Sequence, residues 1–192
     1  MRIALFAYGS LVSAPSAAAT IGGEGLEMHP AVLAGWRRGF TLLRDNRTCE
    51  KTFARRDDDS VPEHVLALNV DRGSPTDRVN GALIAVSEPD LERLDRREIR
   101  YLRTDVGADL ETGGHGFDLI VTYVARPEHH ALAPPPGAVV LQAYERAVED
   151  AFAGLGPGEL EGYRETTDRG PAERVDAYLL SGEIPPGNPR GW

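Results

Sequence analysis

The apolar run Ile3-Ala4-Leu5-Phe6-Ala7, cut short by Tyr8-Gly9-Ser10, constrains this chain most. An apolar run this short, bounded by a turn signal, reads as a buried strand. A buried strand must be covered, so the later segments have to be organised around it. Gly9 permits backbone conformations that other residues resist. A loop of this kind at the end of a core strand can turn successive N–H groups toward one point. Such a concavity suits a carboxylate or a phosphate. The plainer alternative is a strand followed by an ordinary turn.

The 192 residues are long for a minimal domain and short for two. One domain over 1–192 is expected, with 183–192 as an irregular Pro-rich tail. The net charge of −9 argues against nonspecific binding to nucleic acid or to an anionic membrane. Cys49 is the single cysteine, so neither an intrachain disulfide nor a thiolate metal cluster can form. Arg2, the apolar run and Ala17-Ala18-Ala19 loosely imitate a signal peptide, but Tyr8-Gly9-Ser10 interrupts the apolar part. No apolar segment approaches the roughly 18 residues that span a bilayer. A cytoplasmic protein is the expectation.

Further elements follow from patterning. Ala14–Thr20 reads as a short helix, and Gly22–Gly25 as loop. Ala31–Trp36 and Phe40–Leu43 read as strands, separated by a bend or bulge at Gly35 and Arg37-Arg38-Gly39. Residues 44–63 read as a polar loop, with Asp57-Asp58-Asp59 a solvated acidic run. Val65–Val70 and Val79–Val86 are strands; Gly81 inside the second implies a bulge or a close backbone approach. A helix then starts at Ser87, an N-cap with Asp90 three residues on and Pro89 in the first turn. Tyr101–Val106 and Leu119–Ala125 are strands. Val139–Phe152 reads as an amphipathic helix, 157–163 as a shorter one and 171–181 as a last one. Five to seven short strands with few helices predict an α+β protein: a small, strongly curved mixed or antiparallel β-barrel with flanking α-helices.

Glu98 stands out chemically. It lies seven residues beyond Leu91, so a persisting helix points it where Leu91 and Leu94 point. A carboxylate aimed at an apolar interior has a raised pKa and can exchange protons near neutral pH. If the helix instead ends at Arg96 or Arg97, Glu98 faces solvent or pairs with Arg100. Ser10 lacks the Gly two positions earlier that a nucleophile elbow needs. His129-His130 reads as surface, and His29, His64 and His115 are isolated. Cys49 reads as a bystander near Arg47 and Lys51. No Walker loop or GxGxxG stretch exists.

Two distant stretches together resemble one known arrangement. Phe6-Ala7-Tyr8-Gly9-Ser10-Leu11 resembles the N-terminal "YGS" signature of the gamma-glutamylcyclotransferase-like family. Leu94-Asp95-Arg96-Arg97-Glu98-Ile99-Arg100-Tyr101, continuing to Val106, resembles that family's acidic motif at a helix end entering a strand. Val32-Leu33-Ala34-Gly35-Trp36-Arg37 with Phe40, Val79-Asn80-Gly81-Ala82-Leu83, and Tyr144–Leu155 with Tyr163 resemble further family segments in family order.

The resemblance implies a small β-barrel with helices around it and a cofactor-free, metal-free enzyme, monomeric or homodimeric. Its substrate is a small γ-glutamyl amide or amine, which it cyclises to 5-oxoproline with release of the free amine. Glu98 matches the general acid/base. Tyr8, Gly9, Ser10 and Leu11 match the loop that holds the substrate carboxylate, and Tyr101 lines the pocket by position. The chain departs from the pattern at Gly-Ser-Leu-Val, where "GSNL" is known, and at Glu98-Ile99, where Glu-Gly is common. Both departures bear on the leaving group. The alternatives are a noncatalytic binding or accessory domain that keeps the anion pocket, and a hydrolase on the same scaffold.

Overall fold

All five residues of Ile3–Ala7 are buried, as strand β1. The computed structural model describes residues 1–22, 25–111 and 116–183. Helix α1 (Ala14–Ile21) follows β1, then strands β2 (Met28–Ala34), β3 (Trp36–Asp45), β4 (Lys51–Arg55), β5 (His64–Arg72) and β6 (Arg78–Val86). Helix α2 (Glu88–Arg97) leads to β7 (Tyr101–Asp105), β8 (Leu119–Ala125) and β9 (Val139–Leu141). Helices α3 (Gln142–Leu155) and α4 (Glu159–Thr166) precede β10 (Thr167–Asp168), β11 (Glu173–Val175) and β12 (Ala177–Gly182).

β1 is the middle strand of a mixed sheet ordered β2-β6-β1-β8-β7. It runs antiparallel to β6, with Ala7 opposite Ala82, and parallel to β8, with Leu5 opposite Val121. A parallel strand has both faces covered, which is why Ile3–Ala7 is continuously apolar rather than alternating. A second sheet is ordered β10-β3-β5-β9-β11, and β12 pairs with β4 as a ribbon. The sheets curl into a half-barrel, and four helices among the described residues make the protein α+β. Phe6, Leu66, Leu68, Leu83, Leu94 and Phe152 lie fully buried in the core. Each contributes about 1.5–3 kcal/mol by leaving water.

Gly81 marks a close backbone approach, as its place in β6 predicts. A Cβ there would stand 2.3 Å from the Ala7 oxygen and 2.7 Å from Phe6 Cζ. Only a residue without a side chain lets β6 lie against the end of β1. The start of α2 also follows its sequence. Ser87 Oγ accepts from Asp90 N at 3.3 Å while Ser87 N donates to Asp90 Oδ2 at 2.8 Å, a capping box.

Several expectations are corrected. The 44–63 stretch holds β4, whose only buried residues are Phe53 and Ala54. So short an apolar signal does not show through the polar residues around it. Val139–Leu141 is a fully buried strand and not the first turn of α3; it pairs in parallel with both β5 and β11. Residues 171–181 form no helix. Val175 and Ala177 are buried in β11 and β12, the spacing of a strand. The 31–43 segment turns at Gly35, which has a φ of 75°, and Trp36–Asp45 then runs on as one strand. The irregularity in that strand falls between Gly39 and Leu42. The described residues contain twelve strands in place of five to seven. The expected tail beyond 183, His115, and part of the loops near 23 and 113 lie outside the described residues.

The strand at 36–45 buries a charge. Arg38 has no exposed surface and is stacked on Tyr163 and Phe152, 4.4 and 5.0 Å from its guanidinium carbon to each ring centre. Its guanidinium donates to the main-chain oxygens of Tyr8 (3.2 Å), Asn80 (2.7 Å) and Tyr163 (3.3 Å). It also donates to Asn80 Oδ1 (2.8 Å), Thr166 Oγ1 (3.0 Å) and Thr167 Oγ1 (2.8 Å). All these acceptors are neutral. The nearest carboxylate in the chain of hydrogen bonds is Glu159, whose Oε2 accepts from Asn80 Nδ2 at 2.9 Å. Burial lowers the Arg38 pKa to about 10, with the neighbouring tyrosines acting in the opposite sense.

Candidate active site

The chain leaves β1 at Ala7, passes Tyr8 and Gly9, and tightens into a 3₁₀ turn over Ser10–Val12. Val12 N bonds to Gly9 O at 3.0 Å and Ser13 N to Ser10 O at 3.3 Å. Ser13 then caps α1, its Oγ accepting from Ser16 N at 3.4 Å. The loop is therefore anchored at one end by the central strand and at the other by a helix. Gly9 does not use its left-handed freedom, since its φ is −138°. What it supplies is space: a Cβ would rest 3.6 Å from Leu68 Cδ1 and from Tyr144 Oη, two of the residues that line the adjoining cleft.

That cleft has a volume of about 350 Å³ counting its open mouth. Tyr8, Gly9, Ser10, Leu11, Glu98 and Tyr101 all line it, so the residues that the resemblance assigns to the site meet at one place. Among the described residues lining it, Glu98 is the one acid.

The walls are four phenols, each tied to its surroundings. Tyr8 Oη donates to Tyr123 O at 2.6 Å, and Tyr101 Oη donates to Leu68 O at 2.8 Å. Tyr144 Oη accepts from Leu68 N at 3.3 Å. Tyr123 Oη donates to Asp95 Oδ1 at 2.7 Å. Burial raises the pKa of Tyr8, Tyr101 and Tyr123, and the charge of Glu98 raises each further. These three phenols stay protonated, and their protons are already committed to protein acceptors. They shape the hollow that Glu98 also lines.

Glu98 reaches the cleft by a different route from the one periodicity predicts. α2 ends at Arg97, and Glu98 is its C-cap with φ −93° and ψ 44°, so the helical projection from Leu91 does not apply. The cap N–H still bonds to Leu94 O at 2.8 Å. Nor does Glu98 face bulk water or pair with Arg100. Its side chain is 16% exposed and its Oε1 lies 3.1 Å from Arg97 Nε. Arg100 is taken by Glu50 in a two-pronged pair at 2.9 and 2.8 Å.

Residues that sequence reasoning passed over complete the site. Leu68, Thr122 and Tyr123 stand in stretches read only as core strands, and Tyr144 in one read as a helix's apolar side. Nothing in their spacing sets them apart from packing residues. Other candidates lie elsewhere. His130 is part-buried rather than on the surface, with Nε2 3.0 Å from Asp71 Oδ1. Cys49 Sγ donates to Lys51 O at 3.0 Å. In the acidic run, Asp58 Oδ1 accepts from Ser60 N and Oγ at 2.9 and 2.6 Å, a turn closed on itself. Among the described residues no three His, Cys, Asp or Glu side chains converge on a metal-sized site. No helix among them is long and apolar enough to cross a membrane.

No family model matches this sequence, and no curated protein matches it. Solved structures do match its fold. One described as a gamma-glutamyl cyclotransferase superposes with a TM-score of 0.59 over 88% of this chain and 90% of its own, at 15% identity. An uncharacterized human protein matches with a TM-score of 0.57 over 88% and 89% of the two chains, at 14% identity. A yeast gamma-glutamyl cyclotransferase specific to glutathione matches with a TM-score of 0.52 over 86% and 97%, at 14% identity.

Proposed function

From the premise that the chain has the gamma-glutamylcyclotransferase-like fold, we propose that it cyclises a small γ-glutamyl amide or amine to 5-oxoproline and releases the free amine. The observation that carries this reading is the meeting of Glu98 with the Tyr8–Leu11 loop across one cleft. The named activities of two of the matched structures support it.

The chemistry asks little of a protein. The substrate's α-amino nitrogen attacks its own γ-carbonyl carbon and closes a five-membered ring. The C–N bond to the leaving amine breaks. One proton leaves the attacking nitrogen and one must reach the departing one, so a single carboxylate serves both steps. Glu98 accepts the first proton and returns it to the amine. Because attack is intramolecular, orientation alone is worth an effective molarity of roughly 10⁵ M or more. The enzyme's task is to hold the glutamyl chain folded. The anchored loop at Tyr8–Leu11 receives the α-carboxylate, and the fixed phenols of Tyr8, Tyr101 and Tyr144 supply a rigid wall. No cofactor enters this scheme.

The test is incubation with a panel of γ-glutamyl compounds that differ in the amine half, with 5-oxoproline as the readout. At least one member is expected to release it, and Glu98→Gln is expected to abolish release while the protein stays folded. Undiminished release by Glu98→Gln would remove the proton-shuttle role. Binding without turnover across the panel would leave a noncatalytic domain.

A further inference from the structure

We propose that Arg97 is the positioning residue for Glu98: it bolts the acid to the helix that the Tyr8–Leu11 loop feeds. This rests on the reading of Glu98 given above. Neighbouring residues on a continuing helix diverge by about 100° and do not face each other. Arg97 and Glu98 pair because the helix stops between them. Glu98 takes cap geometry, and its Oε1 comes within 3.1 Å of Arg97 Nε.

The other end of the guanidinium is fixed to α1. Arg97 Nη1 donates to Ser16 O at 2.6 Å and to Thr20 Oγ1 at 2.7 Å, and Nη2 donates to Ser16 Oγ at 2.8 Å. Ser16 is buried and lies three residues past the Ser13 cap. One planar side chain thus links the carboxylate to the element that continues from the loop. Arg97 is three-quarters buried, so this link is shielded from water more than a surface pair. A lysine could keep the charge but not the fork that spans both partners.

Arg93 is a built-in control. It sits one turn earlier and also clamps α1, through Thr20 O at 2.9 Å and Ile21 O at 2.7 Å, and it pairs with Asp90. It fastens the same two helices, and its ion pair is with Asp90 rather than Glu98. Other charged and titratable groups also face the site. Tyr8, Tyr101 and Tyr123 feel the charge of Glu98, Tyr144 completes the phenol wall, Arg100 is held by Glu50 and Arg103 by Asp95. Arg97 is ion-paired with Glu98, and a cation beside a carboxylate favours its ionised form.

The experiment compares Arg97→Gln, Arg97→Lys and Arg93→Gln with the wild type by two readouts. One is the acid limb of kcat/KM against pH. The other is ¹³C NMR titration of the Glu98 carboxyl, assigned by its loss in Glu98→Gln. In Arg97→Gln both midpoints are expected to rise by about one pH unit, and kcat to fall about tenfold. Arg97→Lys is expected to bring the midpoints most of the way back without restoring kcat. Arg93→Gln is expected to lower thermal stability and leave the midpoints in place. A Glu98 midpoint unmoved in Arg97→Gln, or moved as far in Arg93→Gln, would overturn the inference. If the wild type forms no cyclic product but the NMR midpoint shifts as stated, the activity reading fails and the Arg97–Glu98 tie stands.

Discussion

Arg38 Nη1 donates to the main-chain oxygen of Tyr8 at 3.2 Å, so a fully buried cation underlies the loop that borders the cleft. The same guanidinium binds the strand oxygen of Asn80 and the end of α4 through Thr166 and Thr167. It gathers β1, β6 and α4 behind the site.

Replacing Arg38 with Met would orphan those acceptors in a place water does not reach. A loss of about 3 kcal/mol in unfolding free energy is expected, since each stranded buried acceptor costs about 1–3 kcal/mol. Arg38→Lys should recover only part of it, because three donors on one point cannot span six acceptors. Urea denaturation midpoints measure both. A change within about 0.5 kcal/mol, the range of an ordinary surface substitution, would contradict the account.

Gly81→Ala should be nearly as damaging for a different reason. The added methyl collides with the Ala7 oxygen at 2.3 Å, and β1 must move. Overpacking against backbone predicts a cost of about 3 kcal/mol. The movement falls where β1 enters the loop, so activity should fall with stability. Calorimetry beside a turnover assay checks the pairing of the two losses.

Alkaline pH separates the phenols. Tyr8, Tyr101, Tyr123 and Tyr163 have raised pKa values, chiefly through burial, against an ordinary value of 10.0. In the unfolded chain they ionise near that value, and in the folded protein above it. Their stabilising contribution is therefore complete below pH 10 and is lost progressively as pH rises beyond it. Arg38 acts with the opposite sign. Its folded pKa of about 10 lies below the ordinary 12.5, so its burial penalty eases between those values. Four tyrosines outweigh one arginine, and stability should fall above pH 10. Tyrosinate absorbance should show these four ionising together with unfolding, not before it.

The elements that sequence reasoning placed correctly are those with a complete local signal. The capping box at Ser87 and Asp90 sits where it was expected, β1 matches its apolar run, and Gly81 does meet a neighbouring backbone. The failures share a cause as well. β4, β9, β11 and β12 are short strands whose partners lie far away in sequence, and the apolar pattern of β9 runs on into the helix that follows it. Their stability comes from pairing and not from local pattern. For Glu98 the helical projection predicts the apolar interior beside Leu91 and Leu94, and only the resemblance places it at the cleft; the cap that directs it there depends on where α2 stops. Arg38 reads as part of a bend because nothing local distinguishes a buried arginine in a strand from an exposed one next to it. Tyr8 and Tyr101 are legible through the resemblance, whereas Tyr123 in a core strand and Tyr144 on a helix's apolar side read as packing.

The central claim is that the cleft of Glu98 and the Tyr8–Leu11 loop closes a γ-glutamyl group on itself. The direct measurement is turnover in ¹⁸O-labelled water, with mass analysis of the glutamyl product. The account predicts 5-oxoproline with no incorporated ¹⁸O, formed by the wild type and not by Glu98→Gln. Free glutamate carrying one ¹⁸O, with water as the nucleophile, would contradict it.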